Sequence, residues 1–137
     1  MPDIPMPDDV AALLALPNPA VMATVAADGR PVTVATWYLV EGDGTILLNL
    51  DAGRARLQHL RTDPRFSLTA LAQGDWYTHV SVQGRVVSIV DDEALADIDR
   101  LSRHYAGRDY PTRDRPRVSV HVTVERWHGW GAARQGG

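Results

Sequence analysis

Residues 21–50 read VMATVAADGRPVTVATWYLVEGDGTILLNL, and the spacing of the turns in this stretch decides the fold class. Asp28-Gly29-Arg30-Pro31 and Gly42-Asp43-Gly44 are turn sequences, because Asp and Gly accept the backbone angles of tight reversals. Residues 21–26 before the first turn read as a strand. Residues 32–40 alternate, with Val32, Val34, Thr36 and Tyr38 pointing one way and Thr33, Ala35, Trp37 and Leu39 the other. Residues 45–50 make a third strand. The joins are too short for a parallel crossover, which takes about a dozen residues or more. The three segments therefore read as an antiparallel meander, and parallel α/β is disfavoured.

Upstream, the first seven residues hold three Pro and read as an irregular tail. Asp8 or Asp9 is expected to cap a helix running through about Leu16, and Pro17 and Pro19 to stop it. Downstream, residues 53–62 change to a helical period with Leu57 and Leu60 on one face, and Asp63-Pro64 ends that helix. Residues 65–71 and 77–90 read as strands joined by a turn at Gly74-Asp75, with Gly84 marking a bulge. Asp91 is expected to cap a second clear helix with Leu95, Ile98, Leu101 and Tyr105 on its apolar side, Asp97 and Asp99 in solvent, and Gly107 at its end. A polar loop follows. Residues 117–127 form a last strand with Val118, Val120, Val122 and Val124 on one face, and residues 131–137 read as a tail. The expected architecture is mainly β: about six antiparallel strands in a small closed barrel, two or three flanking helices, and one domain over residues 1–137.

Composition narrows the chemistry. The net charge of −3 carries no nucleic-acid signature. No apolar run approaches the roughly 20 residues of a membrane helix. The N-terminal stretch lacks a basic signal-like region, so the expected location is the cytoplasm. There is no Cys, which removes disulfides, thiol catalysis and Cys-zinc sites. All 14 basic residues are Arg, so any anion site must use guanidinium forks or backbone amides. Nucleophile-elbow, dinucleotide, P-loop and zincin motifs are absent. His79 and His121 both fall on strands, but no ligand spacing accompanies them and no metal site is expected.

Residues 48–65, LNLDAGRARLQHLRTDPR, carry the strongest chemical signal. A strand enters a glycine turn and then a helix N-terminus, whose free N–H groups and partial positive charge suit phosphate. Arg54 and Arg56 add guanidinium donors there, Arg61 lies two turns beyond Arg54, and Arg65 follows the helix. The four Trp, at 37, 76, 127 and 130, suit either core packing or the wall of a flat-ligand pocket.

At these residues the chain resembles the flavin/deazaflavin oxidoreductase superfamily with the FMN-binding split β-barrel, related to pyridoxamine 5′-phosphate oxidase. Within it the chain is most similar to the small actinobacterial coenzyme F420-dependent reductases. The carrying features are Ala23-Thr24-Val25 with Asp28-Gly29-Arg30-Pro31, Trp37-Tyr38, Arg56-Leu57-Gln58-His59-Leu60 with Asp63-Pro64-Arg65, the strand from Val80 to Val86, and Glu125-Arg126-Trp127. The resemblance implies a homodimer with cofactor sites between subunits. It places the cofactor ring against Val34, Ala35, Thr36 and Trp37, and the phosphate at Asn49, Leu50, Arg54 and Arg56. Many relatives carry Lys where Arg56 stands, and FMN-binding relatives often carry a hydroxyl residue where Leu50 stands. Trp76 falls where some F420-binding relatives place an aromatic, and Arg61 is placed to meet the oligoglutamate tail.

The expected activity is hydride transfer from reduced F420 to a conjugated, electron-poor small molecule such as a quinone, enone or tetrapyrrole. No residue is marked as a dedicated acid. The alternatives are an FMN-dependent oxidoreductase on the same barrel, or a protein that binds F420 or flavin without catalysis.

Overall fold

The computed structural model describes residues 6–133. The elements run α1 (Asp8–Leu14), β1 (Ala20–Val25), β2 (Pro31–Thr36), β3 (Leu39–Val40), β4 (Ile46–Asp51), α2 (Ala55–Thr62), β5 (Arg65–Ala72), β6 (Asp75–Asp91), α3 (Ala96–Ala106) and β7 (Arg117–Trp130), with a short 3₁₀ turn at Gly131–Ala133. All pairings are antiparallel, in the order β2-β1-β5-β6-β7-β4-β3.

That order shows why the sheet curls. β2 and β3 stand at its opposite ends, yet only Trp37 and Tyr38 separate them in sequence. A flat seven-stranded sheet would be roughly 28 Å wide at 4.7–4.9 Å per strand. Three Cα steps reach at most about 11 Å. The sheet must therefore roll until its ends approach, which is a barrel.

The same residues account for a seventh strand where six were expected. The alternating run 32–40 does not stay in one strand, because tertiary contacts pull its centre out. Tyr38 is wholly buried, donates its hydroxyl to the Leu14 carbonyl and accepts Asn18 Nδ2 at 3.0 Å. Trp37 turns outward and stacks on Tyr105, with ring centroids 5.2 Å apart. β2 then pairs only with β1, and β3 with β4, so the expected three-strand meander is two separate hairpins.

The barrel interior holds Met22, Ile46, Leu48, Leu50, Leu68, Val80, Val82, Val120 and Val122, all nearly inaccessible. α2 plugs one end with Leu57 and Leu60, and α1 contributes Val10 and Leu14. β4 is buried on both faces: Leu48 and Leu50 point inward, while Leu47 lies under Ile98 and Leu101 of α3. Gly84 sits at a register shift between β6 and β7, as expected of a bulge. A Cβ there would lie 1.6 Å from the Thr123 carbonyl oxygen, so only glycine lets the strands close.

Three helix boundaries differ from expectation. α1 starts at Asp8 behind Pro7 with no side-chain cap, and it ends at Leu14 with Ala15 as its C-cap, two residues before the expected Leu16. α3 starts at Ala96 rather than near Asp91, because β6 runs on through Asp91 and Leu95 turns the chain with φ of 59°. The buried Asp92 carboxylate caps the helix instead, accepting the N–H groups of Asp97 and Ile98 at 3.2 and 2.9 Å. Asp99 is not in solvent but buried, where it accepts Arg113 Nη1 at 2.6 Å and the Tyr110 N–H at 3.0 Å. Gly107 ends α3 with φ of 76°, as expected. β7 continues three residues past Trp127, and Ala133 packs into the core rather than joining a tail. The expected tails at residues 1–5 and 134–137 lie outside the described residues.

Residues paired directly across antiparallel strands share a face. Ala35, Val21, Thr69, Ser81 and His128 thus form one row across the outside of the barrel, and Thr33, Ala23, Ser67, Gln83 and Arg126 the next. This outer face is built largely of small and polar residues, and at Val21 and Ala35 it borders the cavity beside α3.

Candidate functional site: a cationic, aromatic-walled cavity

A cavity of about 740 Å³ opens beside α3. It lies within the size range of small-ligand sites. Three aromatic rings form one wall. Trp37 stacks on Tyr105 at an interplanar angle of 11°, and Tyr110 meets Trp37 edge-on at 6.3 Å. Tyr105 is fixed by donating its hydroxyl to the Asn18 carbonyl at 2.7 Å, and burial pushes its phenol well above the usual range. Ala20, Val21, Ala35, Thr36 and Leu71 add smaller side chains to the lining.

The floor is cationic. Asn49 of β4, Arg56 of α2 and Arg117 of β7 meet there. Arg56 sits in the first turn of α2, so the helix N-terminus and a guanidinium approach the cavity together. The Arg56 Nε is buried with no hydrogen-bond partner among the described residues. Burial lowers the Arg56 pKa, and the nearby charges of Arg54 and Arg117 lower it further. A half-buried, unneutralised guanidinium is costly unless an anion joins it.

Arg117 is held more fully. Its Nε donates to Asn49 Oδ1 at 2.8 Å and its Nη2 to the Asn49 carbonyl at 3.1 Å. Its Cζ lies 5.0 Å from the centroid of the Tyr110 ring, within cation–π range. The other two polar bonds of Asn49 are donated by Nδ2, to Asp92 Oδ2 at 3.1 Å and Ser119 Oγ at 3.2 Å.

The ten expected site residues divide between this cavity and other places. Ala35, Thr36, Trp37, Asn49 and Arg56 line it together. Val34 packs partly buried against the barrel core, and Leu50 is fully buried within it, because both alternate inward from lining neighbours. Arg54 is exposed at the N-cap of α2, and Arg61 is exposed in the last turn of that helix. Trp76 is 71% exposed at the start of β6, beside Tyr77, and is not among the lining residues, although Gln73 in the same β5–β6 turn is. Arg65 is engaged by Asp63 through a 2.6 Å bond. Sequence reasoning missed Tyr105, Tyr110 and Arg117 as site residues. The only signal for Arg117 was a lone cation opening a valine-rich strand, which becomes informative once that strand is known to pair with Asn49–Asp51. His121 bonds Glu41 and His79 bonds backbone carbonyls, and the described residues include no metal-binding cluster.

The same architecture recurs among solved structures. An F420 reductase superposes with a TM-score of 0.81 at 23% identity, covering 89% of this chain and 98% of that one. A conserved hypothetical protein, Rv2991 of Mycobacterium tuberculosis, gives 0.73 at 28% identity, covering 95% and 88%. General Stress Protein 26 of Bacillus anthracis gives 0.67 at 13% identity, covering 90% and 92%. No curated protein matches the sequence significantly. The family profile described as pyridoxamine 5′-phosphate oxidase matches residues 6–131, nearly the whole barrel with its cavity. A rolled antiparallel sheet with helices at its ends, matched along almost its full length, places the chain in the pyridoxamine 5′-phosphate oxidase-like family of split β-barrels.

Proposed function

We propose that the protein is an F420H₂-dependent reductase that takes a flat, conjugated, electron-poor acceptor. The observation that carries the reading is the unpartnered Arg56 guanidinium at the floor of a cavity walled by Trp37, Tyr105 and Tyr110. The fold's likeness to an F420 reductase supports it. Bound deazaflavin supplies a hydride to the acceptor; the residues of this chain bind and orient. Arg56 and the N-terminus of α2 hold the phosphate. Ala35 and Thr36 border the ring through strand β2, and the aromatic wall excludes water from the reacting face. Outside the cavity, Arg54 at the N-cap and Arg61 in the last turn of α2 stand at opposite ends of that helix, about 10 Å apart along its axis. That spacing suits successive carboxylates of an oligoglutamate tail. Arg65 is not part of this track, since Asp63 already holds it.

Two copies complete the site in this reading. The cavity borders the outer sheet face at Val21 and Ala35, so a second copy seated on that face covers its mouth.

The test is a side-by-side titration of F420, a tail-truncated F420 and FMN. We expect F420 to bind most tightly and its margin over the truncated form to narrow with salt, because exposed Arg–carboxylate contacts are screened. Tighter binding of FMN at low salt would replace the F420 reading with a flavin one. Turnover of a quinone and enone panel with F420H₂ then separates an enzyme from a carrier.

A further inference from the structure

We propose that Arg117 is the second cation of the cavity's anion site, facing the same phosphate as Arg56, and that Asp92 is the positioning residue that presents it. The proposal rests on the function above for the identity of the anion, a cofactor phosphate.

A guanidinium has five donor hydrogens. Arg117 gives Nε–H to Asn49 Oδ1 and one Nη2 hydrogen to the Asn49 carbonyl. Its Nη1 lies 3.5 Å from Tyr110 Oη, which uses at most one more. At least one hydrogen remains on each terminal nitrogen, the edge with which Arg grips an oxyanion in two-point fashion. Among the described residues neither Arg117 nor Arg56 forms a direct ion pair, and Asp51, whose field reaches Arg117, is itself paired with Arg115, whereas seven arginines have a direct acidic partner: Arg30, Arg65, Arg85, Arg100, Arg103, Arg113 and Arg115. Two guanidinium groups without a direct ion pair, lining one cavity, favour a counter-anion there.

Asp92 decides how Arg117 is held. Its carboxylate only accepts, so the Asn49 amide must turn its Nδ2 toward Asp92 and its Oδ1 toward Arg117. Ser119 takes the second Nδ2 hydrogen and donates onward to Asp97 at 2.7 Å. The same Asp92 carboxylate caps α3. One buried group therefore ties the start of the helix beneath the aromatic wall to the orientation of the cation beside it. Asp92→Asn keeps the volume but leaves one oxygen for three donors, so the Asn49 amide and the helix cap compete for it and the hold on the Asn49 amide weakens.

The experiment compares each ligand with its phosphate-free counterpart: FMN with riboflavin, and tail-truncated F420 with the deazaflavin bearing only its ribityl chain. The readout is the ratio of the two affinities. Arg117→Ala is expected to cut the preference for phosphate about tenfold or more while phosphate-free ligands bind within about twofold of wild type. Arg117→Lys restores part of the preference, because it keeps the charge and loses the fork. Asp92→Asn lowers the ratio in the same direction by a smaller factor. A purely structural role weakens both ligand forms equally and leaves the ratio unmoved; that result, or an unchanged preference in Arg117→Ala, overturns the proposal. If the wild-type protein binds neither ring system, the cofactor reading has failed, and pyrophosphate alone decides the clamp. The clamp stands if pyrophosphate raises the thermal midpoint of wild type but not of Arg117→Ala, and falls if it raises both alike.

Discussion

Arg56 is costly to the fold before it is useful to a ligand. Its Nε is buried without a partner, and Arg54 and Arg117 both oppose its charge. Replacing a charge in that position by an apolar side chain of similar length removes a desolvation cost and a repulsion together. Arg56→Met is therefore expected to stabilise the apo protein by about 0.5–1 kcal/mol while lowering cofactor affinity by about one to two decades. Calorimetry of the two apo proteins and a cofactor titration check both halves. A variant that is less stable than wild type, or that binds as well, removes Arg56 from the role given to it. At this scale the sequence was partly legible. Arg56 and Asn49 stand out because a strand, a glycine turn and a helix start are contiguous in sequence. Arg117, Tyr105 and Tyr110 come from distant segments: Arg117 is brought to Asn49 by the β4–β7 pairing and the two Tyr by the packing of α3 and its loop on Trp37, neither of which a local pattern encodes.

Among the elements, α3 and the loop after it form the aromatic wall, and Asp99 fastens that loop. Its carboxylate accepts the Tyr110 N–H and the Arg113 guanidinium, and the Arg113 hydrogen bond holds its pKa below the usual carboxylate range. A carboxyl depressed in the folded state gives its full stabilisation above the unfolded pKa near 4 and loses it as pH falls through the folded value. Arg113 is half exposed, so solvent screens the pair and its worth is modest. Asp99→Asn keeps an oxygen for Tyr110 and is expected to cost about 1 kcal/mol at pH 7. Thermal midpoints measured from pH 7 to pH 2.5 should converge for wild type and variant below about pH 4. A difference that persists unchanged in acid assigns the loss to packing and not to the charge. The helix itself was legible, since Ile98, Leu101 and Tyr105 recur at helical spacing. Its start was not, because the cap comes from Asp92 across a left-handed residue at Leu95 rather than from the residue adjoining the first turn. The split of residues 32–40 was equally hidden: Trp37 and Tyr38 satisfy strand alternation, and only their contacts with Tyr105, Asn18 and Leu14 show why they leave the sheet.

For the whole molecule, the outer sheet face argues for a second copy. Its central rows carry Val21, Ala23, Ser67, Thr69, Ser81 and Gln83, side chains too short to fill a core but flat enough to pack against their own image. Val21 is 37% exposed in a single chain and borders the cavity, so what covers this face also covers the cavity mouth. A standard interface takes about 800 Å² from each partner, near a tenth of the 7499 Å² surface of one chain. We expect the protein to sediment as a dimer at micromolar concentration. Gln83→Arg places a new cation beside Arg126 and, across a twofold axis, opposite its own copy. Because Gln83 is exposed, the substitution should leave the stability of a single barrel within about 0.5 kcal/mol. It should convert the dimer to a monomer, and cofactor affinity should fall in the same variant because the cavity loses its cover. A wild-type monomer across the micromolar range removes the twofold site outright. A monomeric variant that binds cofactor as tightly as wild type leaves the dimer in place but returns the whole binding site to one chain.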